Sequence, residues 1–299
     1  MLDYQAVKNW QFPEVERRYG ADDSMFYALA IGIGADPIDE RQLAFVNDTA
    51  PGTPLAVPTM AVILGYPGSW IGDPRTGVDY SMILHGEEAL VVHRPLQAAG
   101  TVVSKHRVRQ VVDKGPGKGA LVIYDKTLYD KQSGEPLATV THTTFCRADG
   151  GFSARDGRSD EAPPPPARVP ARPPDATCDL ATMPQQALFY RLLADRNPLH
   201  SDPAAARKAG FERPILHGLA TYGAACHALL RACCDYDPRR LKRLSVRFSA
   251  PVYPGEMLRF EFYREGAEIA FRAKAAARDK LVLDCGRAAL TSFDASQGA

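Results

Sequence analysis

Asp195 and His200 are the pair in this sequence best suited to proton chemistry. A carboxylate and an imidazole can take a proton from water and hand one to carbon, so together they form a general acid–base couple. Their spacing would defeat that role on a continuous helix, because five residues turn it through about 500° and leave the side chains about 140° apart. Pro198 changes the geometry. It disfavours a helical conformation at Asn197, so a helix begun near Gln185 must end there. The resulting bend can turn the carboxylate and the imidazole toward one molecule. Asp202-Pro203 then opens a second helix over AAARKAGF. Taken by itself, an Asp–His pair is more often structural, with the acid capping a turn and the imidazole packed locally.

Gly210, Pro214 and Gly218 punctuate the chain that follows, and ILHGLATYGAACHALL reads as a long apolar helix beginning near His217-Gly218. The first N–H groups of a helix lack internal partners and carry partial positive charge. A glycine there lets a ligand come close. The Gly218 N–H could thus polarise a carbonyl and hold its oxygen as it becomes enolate-like. The alternative is a glycine that only permits close helix packing.

The elements that must position these groups fall into two halves. A proline-rich stretch from Ser153 to Ala176 contains Pro163 to Pro166, then Pro170, Pro173 and Pro174. Proline fixes φ and lacks a donor, so an extended connector is expected there. We place the first half at 1–154, the linker at 155–175 and the second half at 176–299. Each half opens with a helical pattern: Asp23-Ser24 capping MFYALAIGIG, and Met183-Pro184 before QQALFYRLLAD. Strand patterns follow, at 119–147 in the first half and 243–293 in the second. Strand runs with one or two helices per half predict an α+β fold with antiparallel sheets. The halves also echo each other. Leu-His-Gly occurs at 84–86 and 216–218, and HRPLQAAGTV parallels SAPVYPGEML. Both echoes point to an old duplication.

Composition narrows the class. The chain has 299 residues, 45% of them hydrophobic, with 36 basic and 35 acidic side chains. Such balance argues against a nucleic-acid partner. No apolar run approaches the roughly 20 residues of a membrane span. The N-terminus lacks signal-peptide order, and the final SQGA is not a Ser-Lys-Leu address, so a cytosolic location is expected. The six cysteines show no metal-ligand spacing and are expected to be reduced. GIGADP, from Gly32, is too weak a fingerprint for a dinucleotide.

ADRNPLHSDPAAARKAGFERPILHG, taken with RFSAPVYPGEML, resembles the signature of the (R)-specific enoyl-CoA hydratases, or MaoC-like dehydratases. SMILHGEEALVVHRPLQAAG and VVDKGPGKGALVIYD resemble the first portion of the two-part members. One departure is Ala194, where the family usually has glycine.

The resemblance implies a double hotdog, two curved antiparallel sheets each wrapped around a helix, with a degenerate first half that holds the acyl chain. It implies reversible hydration of a trans-2-enoyl-CoA to an (R)-3-hydroxyacyl-CoA. Asp195 and His200 would activate water and protonate the α-carbon, Asn197 would orient the water or its neighbours, and the Gly218 N–H would polarise the thioester. His85, Gly86, Lys114, Arg196, Pro198, Leu199 and Phe248 would line the acyl-CoA site. No metal and no redox cofactor is implied, since CoA is part of the substrate. The cluster Arg239, Arg240, Lys242 and Arg243 is a further candidate for CoA phosphates. A hotdog thioesterase and a non-catalytic acyl-CoA-binding protein stay open as alternatives, and a homodimer is plausible.

Overall fold

The computed structural model describes residues 1–291. Its first half contains β1 (Val15–Tyr19), β2 (Ile83–Val92), β3 (Gly100–Asp113), β4 (Ala120–Asp130) and β5 (Pro136–Cys146). The second contains β6 (Ala176–Ala181), β7 (Leu241–Phe248), β8 (Met257–Glu265), β9 (Glu268–Ala275) and β10 (Lys280–Leu290). All join one antiparallel sheet in the order β1-β3-β4-β5-β2-β7-β10-β9-β8-β6. The halves therefore repeat one strand order and meet at β2 and β7, where Glu87 faces Arg247 and Val91 faces Arg243. This is the α+β double hotdog expected from the sequence.

Seven helices accompany the sheet among the described residues: α1 (Tyr4–Lys8), α2 (Ala21–Ala30), α3 (Glu40–Val46), α4 (Ser153–Asp156), α5 (Gln186–Leu193), α6 (Pro203–Lys208) and α7 (Gly218–Cys233). The central one is α7, whose residues Ala220 to Leu230 are all buried. Small residues give it that freedom. At Gly223 an added Cβ would overlap the Ile31 side chain, so glycine lets α7 lie directly against the end of α2. The Tyr222 hydroxyl donates to the Leu244 carbonyl at 2.8 Å and ties α7 to β7.

Several expectations need correction. The Leu-His-Gly echo is not structural: residues 84–86 lie in β2, whereas His217 caps α7 and Gly218 begins it. The second echo holds, since HRPLQAAGTV joins β2 to β3 as SAPVYPGEML joins β7 to β8. Helix α2 starts at Ala21, ahead of the expected cap. Asp23 instead reaches back from its third helical position to the Gly20 N–H at 2.8 Å. The first half has no counterpart of α7 among its described residues. Its chain between β1 and β2 breaks into two short helices and 3-10 turns, where Gly32, Gly34 and Gly52 take positive φ and Pro58 and Pro74 start new turns. The linker from Gly157 to Asp175 forms neither helix nor strand, with bends at Gly157, Ala171, Arg172 and Asp175, after the single helical turn of α4. The expected final strand ends at Leu290, and Ser292, Phe293 and the terminal SQGA lie outside the described residues.

Candidate active site

Helix α5 ends at Leu193, and Ala194 caps it at φ −149°, so position 194 does not take the positive φ that would call for glycine. Two side-chain turns follow. Asp195 Oδ1 accepts from the Asn197 N–H at 2.9 Å, and Asn197 Oδ1 accepts from the Leu199 N–H at 3.0 Å. Pro198 opens the 3-10 turn Pro198–His200. The chain thus bends where the proline requires it, and Asp195 Oδ2 lies 3.8 Å from His200 Nε2. That is too long for a direct hydrogen bond and suits a water that contacts both groups.

His200 is buried, and its Nδ1 donates to the Ile215 carbonyl at 2.9 Å. This leaves the Nε2 lone pair facing Asp195. Burial lowers the His200 pKa below its ordinary 6.5, partly offset by the Ile215 carbonyl and Asp195. The imidazole is therefore neutral near pH 7, as a base must be. His217, which the sequence singled out only as the residue before Gly218, supports this ring. It stacks on His200 with ring centres 3.7 Å apart, and its Nε2 donates to the Asp195 carbonyl at 3.0 Å. One imidazole thereby joins the start of α7 to the Asp195 turn. Burial and then the neighbouring His200 lower its pKa, so the stacked pair is held uncharged.

Gly218 is the first residue of α7, so its N–H has no intrahelical acceptor. A Cβ placed there would meet the Phe248 ring at 3.4 Å. Phe248 in turn packs against His85, with ring centres 4.4 Å apart. Gly218, Phe248 and His85 therefore form one wall, drawn from both halves. Gly86, expected to line the acyl-CoA site, sits at a register shift between His85 and Glu87, a bulge that aims its neighbours. Arg196 and Pro198 are exposed on the turn and Leu199 is half-buried. Asn197 orients its neighbours through the Leu199 contact.

Lys114 is exposed and lies over the Phe145 ring at 5.3 Å, while Phe145 pairs with Leu84 beside His85. It stands at the same end of the sheet as the wall. The basic cluster does not. Lys242 is six residues from Phe248 along β7, about 20 Å away at strand spacing. Arg239 and Arg243 are already paired with Asp237 and Glu268.

Among the described residues, sequence reasoning missed Glu88, His142 and Tyr66. Burial chiefly raises the Tyr66 pKa, and the Asp195 charge lies near enough to this first-half residue to be among the lesser causes. A separate cavity of about 370 Å³, lined by residues including Gly32, Arg41, Asp179 and His227, shares none of these groups. His227 lies nine residues beyond Gly218, about 14 Å along α7.

Two sets of groups, Asp195 with His200 and His217, and Glu88 with His85 and His142, bring ligand atoms within 4.8 Å of one another. Both sets contain closely packed imidazoles, stacked in the first with centres 3.7 Å apart and tilted in the second with centres 3.9 Å apart. Two rings sharing one cation at about 2.1 Å hold their centres ~4.5 Å or more apart, so such close packing favours hydrogen bonding over ligation.

Known proteins share this architecture. Residues 18–148 match the MFE-2 hydratase 2 N-terminal domain, and residues 166–284 match the MaoC like domain. The chain is 36% identical over 282 residues to the peroxisomal enoyl-CoA hydratase 2 of Arabidopsis thaliana, covering 91% of each chain. It is 34% identical to an enoyl-CoA hydratase of Mycobacterium tuberculosis, covering 95% of this chain and 97% of the relative. The crystal structure of a MaoC-like dehydratase from Phytophthora capsici superposes with a TM-score of 0.84 at 30% identity, covering 98% of this chain and 100% of that one. With both halves matched in order and over nearly its whole length, the chain belongs to the hydratase 2 branch of the MaoC-like dehydratases.

Proposed function

We propose that this enzyme reversibly hydrates trans-2-enoyl-CoA to (R)-3-hydroxyacyl-CoA. The observation that carries the reading is the 3.8 Å gap between Asp195 Oδ2 and His200 Nε2, beside an unpartnered helix-start amide. A water in that gap gives its oxygen to C3 and a proton to the pair, and the pair returns a proton to C2. The Gly218 N–H holds the thioester oxygen while negative charge collects on it. Asn197 fixes the turn that carries Asp195. Arg196, Pro198, Leu199, His85 and Phe248 line the substrate, Lys114 meets a CoA phosphate, and the first half takes the acyl chain. Water and enoyl-CoA balance the product without electron transfer, so the reaction written this way calls for neither metal nor redox cofactor.

Family names favour hydration over thioester cleavage, since relatives at this similarity are named enoyl-CoA hydratases. The cytosolic location is a proposal for cell fractionation to test, and the Arabidopsis relative is named peroxisomal. No helix among the described residues is long and apolar enough to cross a membrane. A homodimer remains an expectation for sedimentation to test. The functional test is a panel of linear, branched and dicarboxylic enoyl-CoAs with chiral analysis of the product. The (R)-alcohol supports the reading. The (S)-alcohol would contradict it, and release of free CoA thiol would favour a thioesterase.

A further inference from the structure

The first half contains a buried carboxylate that the reaction above does not use. Glu88 lies in β2 with a side chain 2% exposed, and its Oε2 is 3.0 Å from both His85 Nε2 and His142 Nδ1. On a regular strand, residues three apart face opposite sides. The bulge at Gly86 cancels that alternation and turns His85 and Glu88 to one face. A Cβ at Gly86 would sit 3.3 Å from the Thr143 carbonyl, a tight approach that would push β5 back by a few tenths of an ångström.

One oxygen accepting from both rings fixes where their hydrogens are. His85 carries its hydrogen on Nε2 and His142 carries it on Nδ1. The other nitrogens, His85 Nδ1 and His142 Nε2, are then lone-pair acceptors. Neither is among the buried unpartnered atoms, and the two side chains are 22% and 21% exposed. Tyr27 of α2, Tyr124 and Lys126 of β4, Tyr190 of α5 and Tyr222 of α7 all lie near enough to interact with the Glu88 charge. Lys126, the cation among them, donates instead to the Val62 and Leu64 carbonyls at 2.7 and 2.8 Å. The imidazoles are thus the hydrogen-bond partners of the carboxylate. Their ring centres lie 3.9 Å apart with the planes tilted by 33°, and His85 continues through Phe248 to the start of α7.

We propose that Glu88 is a positioning residue, locking His85 and His142 in complementary tautomers so that the first-half wall of the cleft presents acceptor nitrogens to the substrate. Accepting nitrogens on this wall fit the amide N–H groups of a pantetheine arm. That ligand rests on the hydratase reading, whereas the tautomer lock does not.

The test combines 15N imidazole spectra with calorimetric binding of butyryl-CoA. At about pH 8 the wild-type protein should show His142 in its Nδ1–H form, the reverse of the form free imidazoles prefer. In Glu88→Gln the new amide offers one acceptor and one donor group. Its oxygen is uncharged and a weaker acceptor for two N–H groups than the carboxylate, so His142 should shift toward Nε2–H. Butyryl-CoA Kd should rise roughly tenfold, while kcat for an enoyl-CoA stays within about threefold, as expected for lost substrate positioning. Finding His142 as Nε2–H in the wild type overturns the lock even if E88Q does not fold. Unchanged Kd in a folded E88Q overturns the role in binding. Absence of wild-type hydration would sink the functional reading and leave both measurements standing.

Discussion

The helix-start amide can be tested by adding one methyl group. Gly218 has an ordinary helical backbone, so Gly218→Ala introduces no positive-φ strain. The new Cβ would lie 3.4, 3.6 and 3.7 Å from three Phe248 ring carbons, ordinary contacts that require nothing to move. Alanine is also the better helix former, by about 0.5–1 kcal/mol in a helix interior, so Tm should hold or rise slightly. Activity should respond in the opposite direction. The substrate oxygen must come within about 2.9 Å of the Gly218 nitrogen. The methyl fills the gap between α7 and Phe248 through which it must come. Loss of one oxyanion donor costs about 2.7–4 kcal/mol, or roughly 100- to 1000-fold in kcat. Loss of enoyl-thioester absorbance, run beside a thermal melt, measures both quantities. A variant with unchanged Tm and kcat within about threefold of wild type would remove the Gly218 N–H from the mechanism.

Other consequences follow from the same geometry. His200 acts as a neutral base, and burial lowers its pKa below 6.5, so the rate should be flat above neutrality and fall as pH drops, with its midpoint below 6.5; a midpoint above pH 7 would contradict the assigned environment. Gly223→Ala should destabilise the protein by about 1–3 kcal/mol in denaturant melts, because the methyl must displace Ile31 from a filled core. Lys114→Ala should raise KM for CoA thioesters but not for phosphate-free pantetheine thioesters, whereas Arg243→Ala, whose guanidinium is paired with Glu268, should change neither.

The most legible part of the sequence was the part whose geometry is local. A proline at 198 forces the bend within a few residues, and Asp195, Asn197 and His200 fall where that bend puts them. The helix from Gly218 was readable for the same reason, since a long apolar run begins at a histidine and a glycine. What could not be read depends on chain segments far apart. Glu88 and His142 are 54 residues apart and meet only because β2 pairs with β5. The bulge at Gly86 reverses the side-chain alternation, so a period-two reading puts Glu88 on the wrong face. The repeated Leu-His-Gly misled because three shared residues carry no strand register, whereas the longer Pro-to-Gly echo marks equivalent connections.

Asp195→Asn, His200→Gln and the double variant, assayed together for hydration of crotonyl-CoA, reach the shared water most directly. Groups that handle one water as a unit lose most of their rate with either member, so the double variant should be little slower than the worse single variant. Wild-type-like turnover in either single variant, or losses that multiply in the double, would show that the carboxylate and the imidazole do not act on the same molecule.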